Sequence, residues 1–361
     1  MNKVVSIIAI IISALMAILL IASAYGGIID PMSTTIPALM TMIFPIVLPL
    51  SVVLTVAFLF IRHLASALLI CALLVCLPAI YTYYPLEISK SEHEPDFTLM
   101  SYNVAHLKDF TSKGATPPEN PTLKFILSQS PDIVALQECS TFSKTVKDSI
   151  SQSLLDSLFS VYPNHKNGIE GQAILSKHPF QEVKLHRPTN QGFQVRAYRI
   201  IMPTDSFTLF NVHLKSIGLN NDDKTLYKDL TNGITESENL KDEISEIRRS
   251  LISKLSESFR VRAQQSQLIK ELIDSIGGKI IVCGDFNDVP GCYAIRTIES
   301  AGLKDAYAKS AFGASITFHM DRFYFRIDHI LYRGFTPLKT KCLSVPYSDH
   351  YPLVTSFKTE K

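Results

Sequence analysis

The chain has 361 residues, of which 47% are hydrophobic and 19% charged, and a mean hydropathy of +0.17, too apolar for one ordinary soluble domain. The excess lies at one end, because Lys3, Asp30 and Arg62 are the only formal charges before Glu87. The remainder is close to neutral, which excludes a strongly basic surface of the kind that holds nucleic acid nonspecifically.

Val4 to Ala24 is an apolar run of membrane-spanning length. Ala22-Ser23-Ala24 keeps a cleaved secretory signal open as the alternative. Two more apolar segments, Ile36 to Ile61 and Leu64 to Tyr81, are each long enough to cross about 30 Å of hydrocarbon, so three spans are expected. Pro45 and Pro49 would kink the second. Arg62-His63 is the basic inter-span turn and Tyr25 to Thr35 holds no Lys or Arg, so the positive-inside rule puts everything after Tyr81 outside the cytoplasm. Ionisable residues stand only near span ends, which speaks for an anchor rather than a transporter. The expected organisation is an all-α transmembrane region over 1–85, a linker over 86–96 and a folded domain over 97–361.

From Phe97 strand and helix patterns alternate. Phe97 to Val104 reads as a strand, Pro121 to Ser130 as a helix, and Ile133 to Leu136 as a buried strand running into Gln137-Glu138. Gly171 to Ser176, Phe193 to Met202 and Phe207 to Leu214 continue the series. Asn220 to Glu238 reads as a polar loop. Leu240, Ile244, Ile247, Leu251, Leu255 and Phe259 then recur at helical steps, with Gly277-Gly278 as the stop. One α/β domain is the economical assignment. Cys139 and Cys283 sit in apolar strand contexts, which favours free buried thiols.

Polar residues recur at the ends of these strands: Asn103, Glu138, His213, Asp285 with Asn287, Asp328, and Asp349 with His350. Ile280 to Cys283 is a β-branched run that stops at Gly284, and Asp285 and Asn287 follow two residues apart, so strand alternation would send both side chains to one side. An Asx-rich turn is the plainer reading of that stretch taken alone. Strand ends along one sheet edge, however, are where a site is assembled.

The set Met100-Ser-Tyr-Asn103, Leu136-Gln-Glu138, Asn211-Val-His213-Leu, Gly284-Asp-Phe-Asn287-Asp-Val-Pro290, Arg326-Ile-Asp328-His and Ser348-Asp349-His350 resembles the endonuclease/exonuclease/phosphatase superfamily. The resemblance spans about Phe97 to Phe357, in the family's order. It implies a four-layer α/β sandwich, two mixed sheets packed face to face with helices outside, and Mg²⁺- or Mn²⁺-dependent hydrolysis of a phosphoester. Glu138 with Asn103 would supply the oxygen ligands a hard cation prefers. By the same resemblance Asp285 orients or deprotonates the attacking water, and Asn287 holds a phosphate oxygen. His350 contacts the phosphoryl group, Asp328 fixes its tautomer and keeps it cationic, and His213 is a further phosphate contact. Asp349 would bind a second metal or position His350.

Ser348 is expected to shape a turn, Arg326 to be a surface residue, and Thr317-Phe318 to pack. The aromatic or histidine phosphate contact of the nuclease branches has no counterpart in Tyr162 or His165. The expectation is therefore a membrane-anchored phosphoester hydrolase facing away from the cytoplasm. Its substrate would be a lipid headgroup, a nucleic acid or a small phosphate ester, and the N-terminal helices would contact membrane lipid. An extracytoplasmic nuclease and a non-catalytic membrane module are the alternatives.

Overall fold

The computed structural model describes residues 3–61, 63–87, 94–108, 120–139, 150–167, 171–185, 194–203, 205–218, 240–320 and 324–360. The expected loop over 220–238 and residues 88–93 of the linker lie outside them. Two compact units divide the chain, one of residues 1–84, 217–266 and 289–297, the other of 85–216, 267–288 and 298–361.

In the first unit, uncharged runs of Ile, Leu, Val and Ala form α1 (Lys3–Tyr25) and α2 (Ile36–Ile61), which satisfy their own backbone polar groups. The segments Val4–Ile28 and Ile36–Phe60 are both long and apolar enough to cross a membrane. The expected third span is bent by 62° between α3 (His63–Val75) and α4 (Leu77–Tyr83), and counts as a span only if the bent pair is taken together. Pro78, at the start of α4, has no N–H to continue the ladder. The helices run up, down and up. Leu20 and Ala24 cluster with Phe44, Val47 and Ala72, while Ala9, at the other end, clusters with Phe58, Ala65 and Leu69. In α2, Ser51 and Thr55 return their hydroxyls to the carbonyls of Val47 and Ser51, below the turns that Pro45 and Pro49 disrupt.

The connection between α1 and α2 is held by other parts of this unit. A Cβ on Gly27 would lie 2.0 Å from the carbonyl oxygen of Gly291, so only glycine fits there. Arg296 lies over the Tyr25 ring, and Thr35 shares a 2.9 Å hydrogen bond with Ser256. Ala38 at the start of α2 clusters with Leu255 and Phe259, two members of the helical stripe read from the sequence.

The second unit holds two six-stranded mixed sheets. One has the order β11-β12-β1-β2-β4-β3 and contains β1 (Phe97–Asn103), β2 (Ile133–Gln137), β3 (Asn164–Lys166), β4 (Ala173–Ser176), β11 (Phe335–Cys342) and β12 (Leu353–Thr359). The other has the order β5-β6-β7-β8-β10-β9, from β5 (Phe180–Val183), β6 (Gln194–Ile201), β7 (Ser206–His213), β8 (Ile280–Asp285), β9 (Lys304–Asp305) and β10 (Asp328–Arg333). Alternation along β1 decides what each face meets. Phe97 and Leu99 enter the core between the sheets with Leu209, Ile281, Cys283 and Ile330. Met100 and Tyr102 face the other way, into a cluster with α5 (Pro121–Gln129) and α6 (Gln152–Val161). Each such fully buried side chain contributes roughly 1.5–3 kcal/mol. Asn120 and Ser151 cap the two helices through side-chain bonds to the N–H groups of Leu123 and Leu154. The long helix α7 (Leu240–Ile276) ends where expected, with Gly277 and Gly278 at positive φ. Cys139 and Cys283 are buried free thiols, and burial pushes both up to about 12.

Candidate active site

Register brings the polar strand ends together. In the second sheet His213 pairs with Asp285 in parallel, and Asp328 pairs with Asp285 in antiparallel. In the first, Asn103 ends β1 opposite Gln137, and Glu138 comes next. Gly284 makes the second sheet's part possible, because a Cβ there would stand 1.9 Å from the Val212 carbonyl oxygen, and its φ of +145° suits glycine alone.

Asp285 is the centre of the cluster. One carboxylate oxygen accepts from Asn103 Nδ2 at 3.0 Å and lies 3.7 Å from Nε2 of both His213 and His350. The other accepts from the backbone N–H of Asn287 at 2.8 Å. Burial raises the Asp285 pKa, against the opposing pull of His350 and His213. Burial alone would lower that of His350, but the Asp328 and Asp285 carboxylates outweigh it and lift it to about 10. His350 Nδ1–H donates to Asp328 at 2.8 Å, which leaves Nε2 directed to Asp285. Asp285, Asp328 and His350 also lie close enough together to form a buried group of metal-holding dimensions.

Glu138 stands nearer the mouth. Its side chain is 32% exposed, with Asn103 Nδ2 at 3.3 Å, His106 at 3.5 Å and His213 at 3.9 Å. All three contacts are long for a carboxylate, which suits a group that is to exchange them for a hard cation. Asn103 turns its amide nitrogen to both carboxylates while its oxygen accepts from the Ala105 N–H at 3.1 Å. It is thus a bridge between Glu138 and Asp285 in this arrangement. Asp349 has Ser348 as its side-chain partner at 3.2 Å and acts electrostatically on His350. Asn287 is not aimed by strand alternation. The strand has ended at Asp285, and Asn287 adopts φ +53° with Nδ2 donating to the Leu214 carbonyl at 3.0 Å.

Several supporting residues play larger parts than their sequence context suggests. Arg326, expected at the surface, is buried, paired with Asp305 at 2.7 Å and stacked over Tyr307. The reason is that β9 and α8 (Ala306–Ser310) deliver a buried carboxylate and a ring to it. His329 completes this group, donating Nε2–H to the Asp288 carbonyl at 3.0 Å. Thr317 does more than pack, since its hydroxyl accepts from the N–H groups of Ile327 and Asp328. Phe318 lies against the His350 ring, with centroids 5.0 Å apart. Ser348 donates to the Asn103 carbonyl at 2.8 Å and so ties the last loop to β1. Gln194 accepts from His213 Nδ1–H at 2.8 Å, which leaves Nε2 facing the carboxylates. Tyr162 is fully buried in the helix-side core and His165 stacks on Phe159, so neither joins the cluster.

A family model described as Endonuclease/Exonuclease/phosphatase family matches residues 100–350. The chain belongs to this family. Similar solved structures include the human Nocturnin catalytic domain with bound sulfate anion, at 19% identity over 74% of this chain and 100% of that one, with TM-score 0.49. An endonuclease/exonuclease/phosphatase from Beutenbergia cavernae has 16% identity over 73% of this chain and 72% of its own, with TM-score 0.48. One from Bacteroides vulgatus has 16% identity over 73% and 99%, with TM-score 0.45. A search of curated protein sequences finds no match. As a family member the chain is a phosphoester-hydrolysing enzyme, and the matched span contains all eight residues singled out at its strand ends.

His106 has no place in the sequence-derived set of this family member. It lies in the Ala105–Leu107 turn, whose three residues all have left-handed φ, at 43°, 60° and 57°. Such backbone costs roughly 1–2 kcal/mol per residue and gathers at functional sites. The signal for it was only its position three residues beyond Asn103.

Proposed function

We propose that the protein is a membrane-anchored, divalent-metal-dependent phosphoester hydrolase, with residues 1–85 as anchor, 86–96 as linker and 97–361 as an extracytoplasmic catalytic domain. The observation that carries the catalytic reading is Asp285, buried, with a raised pKa, and flanked by His213 and His350 at 3.7 Å. A carboxylate lifted toward neutrality is a better general base than an ordinary one. Asp285 takes the proton of the attacking water. His350, held protonated by Asp328, offers Nε2–H to a phosphoryl oxygen as negative charge develops there. The second N–H of Asn287 is a further donor, and His213 joins it when Nε2 carries a proton in addition to the Nδ1–H held by Gln194. Glu138 would hold Mg²⁺ or Mn²⁺ with Asn103 next to it, and Asp349 would bind a second ion or position His350. When bound, the ion offsets charge on the phosphoryl oxygens.

The anchor reading is supported by two apolar helices of spanning length and by the positive-inside pattern. Contacts of the α1–α2 connection with Ser256, Gly291 and Arg296 favour one membrane side for that connection and the later chain. The test is a phosphoesterase panel on the full chain in detergent, with sphingomyelin, phosphoinositides, duplex DNA, RNA and bis-nitrophenyl phosphate. Activity that appears with Mg²⁺ or Mn²⁺ and disappears in Asp285→Asn supports the reading, and activity that Asp285→Asn retains overturns it.

A further inference from the structure

Phe312 is 68% exposed, Leu86 59% and Tyr324 58%, and Ile316 is exposed beside them, all in the second unit. Three backbone contacts fix part of this face to the chain that leaves the last apolar helix. Leu86 bridges to Phe312, Glu87 N–H donates to the Ala311 carbonyl at 3.1 Å, and Gly313 N–H donates to the Pro85 carbonyl at 2.7 Å. Since α4 ends at Tyr83, Leu86 lies within about 10 Å of that helix end whatever path the intervening residues take. An exposed apolar and aromatic face joined to a membrane helix by so short a stretch of chain has an evident cover, the bilayer interface, where aromatic rings settle.

The adjoining cavity gives the interaction its charge. It measures about 660 Å³ and is lined by Phe312, Ile316, Tyr324, Lys339, Lys341 and His319 among others, with no carboxylate among the described residues. Lys339 and Lys341 alternate on β11 and are both exposed, so they share a face. His319 Nδ1 is buried with no hydrogen-bond partner among the described residues. The cavity is not the catalytic cluster. Thr317 O accepts from Tyr351 N–H at 2.6 Å and His319 N–H donates to Asp349 O, and on this short ladder Phe318 faces His350 while His319 stacks on Tyr351. The cavity therefore lies behind the segment that packs on His350.

We propose that the face formed by Leu86, Phe312, Ile316 and Tyr324, with Lys339 and Lys341 beside it, rests on the membrane that holds the N-terminal helices and takes an anionic phospholipid headgroup in its cavity. This rests on the anchor reading above. Docking holds the Thr317–His319 segment, and with it the wall behind His350, at the lipid surface, where a phosphoester of the membrane is at high local concentration.

The chain contains no tryptophan, so single substitutions report position without interference. Full-length Phe312→Trp, Leu15→Trp in α1 and Ile201→Trp, at the end of β6, are reconstituted in phosphatidylcholine vesicles with and without phosphatidylserine. A fraction of the lipid carries a spin label, on the headgroup or shallow in the acyl chain to report Phe312→Trp and Ile201→Trp, and deep in the acyl chain to report Leu15→Trp, which lies midway along the Val4–Ile28 span. Quenching of Leu15→Trp and Phe312→Trp but not of Ile201→Trp, stronger with phosphatidylserine, is the expected result. Adding Lys339→Gln and Lys341→Gln to Phe312→Trp should weaken docking on anionic vesicles by roughly 30-fold. If Leu15→Trp is quenched and Phe312→Trp is not, or if Ile201→Trp is quenched equally, the docking proposal is overturned and the anchor stands. An emission shift of Phe312→Trp that follows protein density and ignores spin-labelled lipid would assign the face to a second copy, and also overturns it. If Leu15→Trp is unquenched, the anchor reading fails and the proposal with it.

Discussion

Replacing Asp328 by Asn tests the chemistry of the cluster with little change of shape. Asp328 Oδ2 accepts from His350 Nδ1–H at 2.8 Å, with both side chains buried. The Asn oxygen can keep a neutral version of this bond. Its nitrogen would take the place of Oδ1, which has no hydrogen-bond partner among the described residues, so a new buried donor is left unsatisfied at a cost of about 1–3 kcal/mol. Asp328 is also the largest influence holding His350 up near 10. Without it burial gains the upper hand and the imidazole loses its proton at lower pH. A raised folded-state pKa stabilises the fold fully below the unfolded value of about 6.5, and this contribution disappears as pH rises through about 10. The stability gap between wild type and Asp328→Asn should therefore be widest in acid and narrow above that range. Rate should fall by about 10²–10³, the cost of losing one preorganised donor. The assays are kcat/KM against pH on bis-nitrophenyl phosphate with Mn²⁺, and NMR titration of ¹³C-labelled histidine. An unchanged rate, or a His350 resonance that still titrates near 10 in the variant, would refute the reasoning.

Three further substitutions probe what holds the site. Gly284→Ala places a Cβ 1.9 Å from Val212 O, so β7 and β8 must part. A loss of about 3 kcal/mol or more in denaturant unfolding, with reduced activity, is expected. Arg326→Met takes the guanidinium from the buried Asp305 carboxylate, leaving His329 Nδ1 at 3.8 Å as its nearest side-chain partner, and should cost about 3 kcal/mol. Adding Asp305→Asn, which keeps the cap on the Tyr307 and Ala308 N–H groups, should recover a large part in the same measurement. His106→Gly relieves a left-handed residue of φ 60° and should raise the free energy of unfolding by about 1 kcal/mol while lowering kcat/KM. A variant that is both less stable and fully active would show that the turn is not strained for function.

The strand ends were legible because apolar runs that stop at a polar residue survive any arrangement of the rest, as at Ile133–Leu136 before Glu138. Which ends meet depends on register, and the pairing of His213 and Asp328 with Asp285 involves residues 72 and 43 positions away. Local alternation misplaced Asn287 because a left-handed turn intervenes. Arg326 looked like a surface residue because its partner Asp305 lies in a separate segment, joined to it only by the fold. His106 was missed for a different reason. Its role depends on three successive left-handed residues, and Ala105, His106 and Leu107 carry no sequence signal for that backbone.

The most direct test of the central claim is metal-dependent hydrolysis by the full chain together with Glu138→Gln and Asp285→Asn, each shown to be folded by circular dichroism. Hydrolysis that requires Mg²⁺ or Mn²⁺, is lost on chelation and restored by readdition, and falls to background in both variants is the predicted result. Hydrolysis that persists in chelator, or in either folded variant, would contradict it.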